Sequence, residues 1–310
     1  MLRVADVPEP EPAAGEVRVR MAVSGVNPTD IRARRTARGL ALPFALIIPH
    51  QDGAGVIDAV GPGVPRRRAG ERVWLYNACF GRPFGTAAEA VALPSAQAQP
   101  LPDGVPFELG ASLGIPALTA HRCVFADGPV RGRAVLVAGG AGAVGHFAIE
   151  LAVRAGARVI ATASGPEKAE LARKAGAAHV VNYRDADAAD QIRAAVGQAD
   201  RIIEVALGAN LALDLAVAKP GSVIVCYAAE PTDPVLPVRA CMTANMVLRF
   251  VLLYGVPAEA LDRAAASIRA ALADGALTGL PVHRFGLDDI VAAHQAAEAG
   301  PLGKVLIVPA

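Results

Sequence analysis

The chain has 310 residues, 53% of them apolar, with a mean hydropathy of +0.38 and 30 Lys and Arg against 29 Asp and Glu, a formal net charge of +1. That balance exerts no general pull on nucleic acid. Alanine carries much of the apolar content, and no apolar run approaches the roughly 18 residues a membrane span needs, so a soluble chain with room for two domains is expected.

The opening residues, MLRVADVPEPEPAAGE, lack a basic segment followed by an apolar one, so no secretory signal is expected. Residues 1–107 are rich in glycine and proline and carry short alternating runs such as Glu16-Val17-Arg18-Val19-Arg20-Met21, which predict a small β-rich domain. Two basic clusters, Arg32-Arg34-Arg35-Arg38 and Arg66-Arg67-Arg68, read as solvated surface. Cys79, Cys123, Cys226 and Cys241 lie far apart with no C-x-x-C pair. This argues against a zinc ribbon or a disulfide framework and for reduced thiols in a cytoplasmic protein.

From 108 to 244 the texture changes to apolar runs alternating with helical segments. Ala134-Val135-Leu136-Val137 reads as a buried strand and is followed by a glycine turn and a helix from Ala143. Gly140, Gly142 and Gly145 fit G-x-G-x-x-G, and Gly139, Gly142 and Gly145 fit the looser G-x-x-G-x-x-G. One glycine serves the turn, one lets a pyrophosphate approach the backbone, and one allows helix and strand to pack closely. The helix start then offers unpaired N–H groups to an anion. Strands are expected at Arg158–Ala163, His179–Tyr183, Arg201–Ala206 and Val223–Cys226, with helices at 166–175 and 186–196. Such repeated β-α units imply a doubly wound parallel sheet. Helices around 258–273 and 287–299 precede a final strand, Lys304–Val308, which spacing alone assigns to neither domain.

The segments GVNPTD (25–30), HQDGAGVIDAVG (50–61), GERVW (70–74), GTAAEAV (85–91), GIPALTAHR (114–122), VVNYR (180–184), IIEVALGANLALDL (202–215) and GKVLIVP (303–309), with the glycine loop, occur in a distinctive order and spacing. In these the chain resembles the medium-chain dehydrogenase/reductases, and among them the zinc-free quinone oxidoreductases of the zeta-crystallin type. The resemblance implies an α/β fold, with a doubly wound Rossmann domain at 108–244 and a GroES-like β-rich catalytic domain formed by 1–107 and 245–310. Relatives begin with a strand and turn ahead of this chain's start, which implies a first strand missing or a start misassigned.

Zinc-dependent relatives place a cysteine where Asn27 stands and a histidine where Gln51 stands. Amides are poor zinc ligands, no other Cys/His cluster is in sight, and His50 reads as a structural or surface histidine, so no catalytic metal is expected. What remains is hydride delivery to an already electrophilic acceptor, a quinone or an activated alkene.

NADPH is the expected cofactor. The strand ending at Ala163-Ser164 carries no carboxylate to hold a ribose 2′-hydroxyl, whereas Ser164 and Lys168 suit a 2′-phosphate, and in relatives the position of Tyr183 lies at that phosphate. Ser164 and Glu167 also fit an S-x-x-E capping box. By similarity, Ala141, Gly142, Ala143 and Val144 would surround the pyrophosphate, Asn210 the ribose, Thr119 the carboxamide, and Phe250, Val251 and Leu252 the nicotinamide. Core packing is the plainer reading of the Phe250 stretch, and an N-cap of a helix at 211–218 that of Asn210. Asn27 and Asp30 match a pair near the nicotinamide in relatives, where the amide orients an acceptor oxygen. Their residue types also suit a turn and a helix cap. Relatives carry tyrosines lining the quinone pocket where this chain has Arg32 and Arg38, a change that favours a smaller or anionic acceptor.

An NADPH-dependent quinone reductase is therefore the leading expectation. A reductase of enals, enones or enoyl thioesters comes second, and an NADPH-binding protein with little catalysis third. A homodimer or homotetramer is implied by relatives that pair Rossmann sheets edge to edge, with 246–253 as the contact.

Overall fold

The computed structural model describes residues 2–36 and 44–309, and Arg38 of the first basic cluster lies outside them. Two compact units emerge, Met1–Ile115 with Gly279–Ala310, and Pro116–Thr278.

In the first unit the chain runs through β1 (Glu16–Gly25), α1 (Pro28–Thr36), β2 (Asp52–Val60), β3 (Arg72–Leu75), β4 (Ala90–Pro94), β5 (Ala98–Pro100) and the single turn α2 (Phe107–Gly110). The alternation along β1 sends Val17, Val19, Met21 and Val23 inward. Arg18 and Arg20 point outward, and both bond Asp58 of β2. Ile57, Leu75, Val91 and Leu93 close the core from β2, β3 and β4, each contributing about 1.5–3 kcal/mol by leaving water. Arg68 departs from the solvated reading of its cluster. Its guanidinium bonds Glu71, the carbonyls of Ser95 and Ala98 and the Ser95 hydroxyl, stitching one loop to another.

The second unit opens with α3 (Gly114–Phe125), whose first residues straddle the boundary. It continues through β6 (Ala134–Val137), α4 (Ala143–Arg154), β7 (Arg158–Ala163), α5 (Pro166–Lys174), β8 (His179–Asn182), α6 (Ala188–Val196), β9 (Ala199–Glu204), α7 (Leu207–Val217), β10 (Ala218–Cys226), α8 (Val238–Thr243), β11 (Val247–Phe250) and α9 (Ala258–Ala273). All pairings in its sheet are parallel, in the order β8-β7-β6-β9-β10-β11. The order reverses between β6 and β9, the switch point outside which doubly wound sheets hold their ligands. Leu136, Ile160, Ile202 and Ile224 of the sheet pack with Ile192 of α6 and Leu211 of α7. The observed division corrects the expected boundary at 245. Residues 245–278 join this unit because β11 extends its sheet by pairing with β10.

The chain then returns to the first unit as β12 (Val282–Gly286), α10 (Ile290–Ala299) and β13 (Lys304–Val308). β13 pairs with β12 and with the C-terminal end of β1, which places the final strand in the β-rich unit. Val305, Ile307, Ile290 and Ala293 pack there with Val26.

Candidate functional site

The two units carry separate sets of functional residues. In the second, the turn after β6 is made by Gly139 in a left-handed conformation (φ +66°), which L side chains rarely adopt. A side chain on Gly145 would collide with the Gly139 carbonyl. At Gly142, by contrast, a Cβ would meet only that carbonyl oxygen, at 3.4 Å. Gly140 has no room for a side chain either, because a Cβ would meet Ala161 of β7 at 2.7 Å and Ile149 of α4 at 3.0 Å, so it too serves the close packing of helix and strand. No side chain caps α4, whose N-cap is Gly142. The N–H groups of Ala143, Val144 and Gly145 therefore head an uncapped helix beside exposed backbone, the arrangement an anion such as a pyrophosphate fits. Ala141 is buried beneath it.

β7 and β8 pair in register up to Ala163 opposite Asn182, so Ser164 and Tyr183 follow at adjacent strand ends. Ser164 does not form the capping box. Pro166 takes the first helical position of α5, the cap falls on Gly165, and no side chain bonds the helix start. Lys168 is exposed on α5. Arg184 lies 5.5 Å from the centroid of the Tyr183 ring, a cation given no role by the sequence alone.

The N-cap reading of Asn210 is also corrected. Helix α7 starts at Leu207, four residues earlier than expected, and Asn210 lies inside it with its Nδ2 donating to Glu204 Oε1 at 2.9 Å. Thr119 is buried in α3. Phe250 and Leu252 do not pack into the core: they are 68% and 70% exposed at the end of β11, while Val251 donates its N–H to the Cys226 carbonyl.

In the first unit Asn27 precedes α1, and Asp30 in its first turn accepts the Asn27 backbone N–H at 2.7 Å, the return arm of a helix cap. The Asn27 side chain does something else. Its Nδ2 donates to Asp52 Oδ2 at 2.7 Å, and its Oδ1 accepts from Lys304 Nζ at 2.6 Å. Asp52 Oδ1 accepts the Ile115 N–H at 2.8 Å. All four side chains are buried. Burial pushes the Asp52 carboxyl up to about 6, against the pull of Lys304 and Asn27. Burial also raises Asp30, with the Asp52 charge acting the same way, and lowers the Lys304 ammonium. The amide oxygen of Gln51 accepts the Cys79 N–H at 3.1 Å.

His50 is buried, with a φ of +80° unusual for a non-glycine residue. Its Nδ1 lies 2.8 Å from Ser24 Oγ, Ser24 Oγ 2.8 Å from Thr86 Oγ1, and its Nε2 2.9 Å from His294 Nε2. Thr86 donates to the Asp52 carbonyl, which can only accept, and this sets every other direction. Thr86 accepts from Ser24, Ser24 from His50 Nδ1–H, and His50 Nε2 from His294 Nε2–H. The surface reading of His50 fails because these partners come from residues as far as 244 positions away. Among the described residues no group of three or more His, Cys, Asp or Glu is placed to hold a metal.

The family described as zinc-binding dehydrogenase matches residues 143–268, and the alcohol dehydrogenase GroES-like domain matches residues 13–103. A quinone oxidoreductase of Rattus norvegicus is 30% identical over 311 residues, covering 98% of this chain and 92% of its own. This chain belongs to the medium-chain dehydrogenase/reductase superfamily. Solved structures agree. A mycobacterial protein in complex with NADPH aligns at 31% identity with a TM-score of 0.84, over 98% of this chain and 95% of that one. An NAD-dependent alcohol dehydrogenase aligns at 27% with a TM-score of 0.86, over 99% and 95%. Like them, this superfamily member is an NAD(P)-dependent oxidoreductase. Beyond the residues foreseen, the dehydrogenase/reductase fold brings in Lys304, Asp52, His294 and Arg184. It also adds a buried pair, Glu204 and Asp214, in which burial and the Glu204 charge raise the Asp214 carboxyl. Lys304, Asp52 and Arg184 stood inside quoted motifs, which was their one signal.

Proposed function

We propose that the protein reduces a quinone with NADPH and without a metal. The observation that carries the cofactor choice is the paired end of β7 and β8. The end of β7 carries no carboxylate, and Ser164, Lys168, Tyr183 and Arg184 lie at or just beyond these strand ends as donors and positive charge suited to a 2′-phosphate. Gly139, Ala141, Gly142, Ala143, Val144 and Gly145 would hold the pyrophosphate, with Thr119, Asn210, Phe250, Val251 and Leu252 toward the ribose and nicotinamide. Bound NADPH supplies a hydride equivalent to an electrophilic acceptor. For metal independence the support is positive: the amides at Asn27 and Gln51 are already engaged, with Lys304, Asp52 and the Cys79 N–H. Asn27 would orient the acceptor oxygen through its second amide hydrogen, with Asp30 holding the Asn27 backbone in place. The kinship to proteins named quinone oxidoreductase supports the acceptor class.

A second reading, reduction of α,β-unsaturated carbonyls, is favoured by Asp30, a buried carboxyl raised enough to hold a proton. A dimer is proposed through β11, the edge strand of its sheet, where Val247, Phe250 and Leu252 are exposed.

Fluorescence titration with NADPH and NADH tests the cofactor. NADPH should bind at least tenfold more tightly, and Lys168→Ala should weaken NADPH alone by about tenfold, roughly 1.4 kcal/mol. Equal affinity for the two cofactors would overturn the assignment. A panel of quinones and enones, followed by NADPH oxidation, then separates the two acceptor readings.

A further inference from the structure

The Lys304 ammonium lies buried among two carboxylic acids, yet it donates to a neutral amide. Its Nζ sits 2.6 Å from Asn27 Oδ1, and among the described residues no ion pair joins it to Asp52. Charge balance alone would favour direct contact with the carboxylate. Instead Asp52 is held off at the other end of the amide, Oδ2 to Asn27 Nδ2 at 2.7 Å, with Oδ1 fixed by the Ile115 N–H at 2.8 Å. This arrangement settles the amide's orientation, because reversing it would set NH2 against ammonium and carbonyl against carboxylate. An amide has two N–H donors, and the second at Asn27 has no partner among the described residues.

We propose that Lys304 is a positioning residue for the acceptor: by donating to Asn27 Oδ1 it locks the amide and polarises the free Asn27 N–H toward the oxygen that gains negative charge. A charge-assisted bond at the carbonyl oxygen draws electron density from the nitrogen, so the remaining N–H is a stronger donor than that of an ordinary asparagine. Such a donor stabilises developing charge without reorganising. The ammonium therefore acts at one remove while staying in a dry site. The inference rests on the proposed role of Asn27 toward the acceptor.

Lys304→Met is the direct test. Turnover (kcat) with the acceptor should fall by about tenfold to a hundredfold, with the acceptor KM and the NADPH affinity within twofold of wild type. Lys304→Arg, which keeps the charge and a donor, should recover part of the loss. Because Lys304→Met leaves the Asp52 carboxyl without its cation, the double variant Asp52→Asn/Lys304→Met removes both charges together. It should fold and remain as slow. Independently of any acceptor, the Asn27 side-chain amide resonances, assigned by their loss in Asn27→Ala, should shift in both variants. Turnover within twofold of wild type in either variant, or unmoved Asn27 resonances, would overturn the proposal. Should the wild-type protein reduce no quinone or enone, the functional reading fails, and the resonances alone decide whether Lys304 polarises this amide.

Discussion

The glycine loop of the second unit and the buried polar cluster of the first reach pre-organisation by opposite means. At the loop, side chains are absent. Gly139 turns, Gly145 packs, Gly142 leaves room, and backbone N–H groups stand at an uncapped helix start. At Asn27 the work is done by side chains drawn from β2, β13 and the approach to α1, with Asn27 and Asp52 each held by two partners and Lys304 bonded to the Asn27 amide oxygen. A backbone site fails when atoms are added to it. A side-chain network fails when one member is removed, because the others remain buried and unsatisfied.

Substitutions should expose that difference. The largest expected effect is Asp52→Ala, which strands Lys304 as a buried cation. A loss of about 3–5 kcal/mol in a denaturant titration follows, and a loss under 1 kcal/mol would mean the cluster relaxes. Next, Gly145→Ala should lower the melting temperature and weaken NADPH binding by about a hundredfold, since its methyl group meets backbone that cannot yield. Gly142→Ala sharpens the point: ordinary contact there predicts an unchanged melting temperature with affinity down about tenfold, the methyl group obstructing only the ligand. The smallest effect belongs to pH. Burial holds His50 well below its ordinary 6.5, with the His294 and Lys304 charges acting the same way. Burial, with the Arg34 charge, brings His294 down to about 4 against the opposite pull of Glu298. The folded state thus binds fewer protons than the unfolded chain, so the contribution is complete above pH 6.5 and declines toward pH 4. His294→Asn should make the fall in melting temperature between those limits shallower, leaving the contribution of His50.

The same contrast explains what could be read from the sequence. β6, the glycine turn and α4 are contiguous, and each later β-α unit announces itself by local periodicity, so α9 and β13 fall at the expected residues. The Asn27–Lys304 bond spans 277 positions and His50–His294 spans 244. Periodicity has no such reach, and a lone lysine opening a strand looks like any exposed lysine. Caps were the local features misread: α5 starts at Pro166 as expected but is capped by Gly165 rather than Ser164, and α7 began ahead of Asn210. The unit boundary moved because the pairing of β11 with β10, rather than any shift in composition, decides where 245–278 belongs.

The open edge at β11 carries one more implication. Val247, Phe250 and Leu252 are exposed along a strand with one unpaired side, while nearby Leu236, Val238, Met242, Met246 and Leu248 line an apolar groove of about 400 Å³. If a second copy covers this edge, the thermal stability of the protein becomes a property of the solution as well as of the chain. Its melting temperature should rise with protein concentration across two decades of dilution, and Phe250→Asp should abolish that dependence and leave the edge exposed to aggregation.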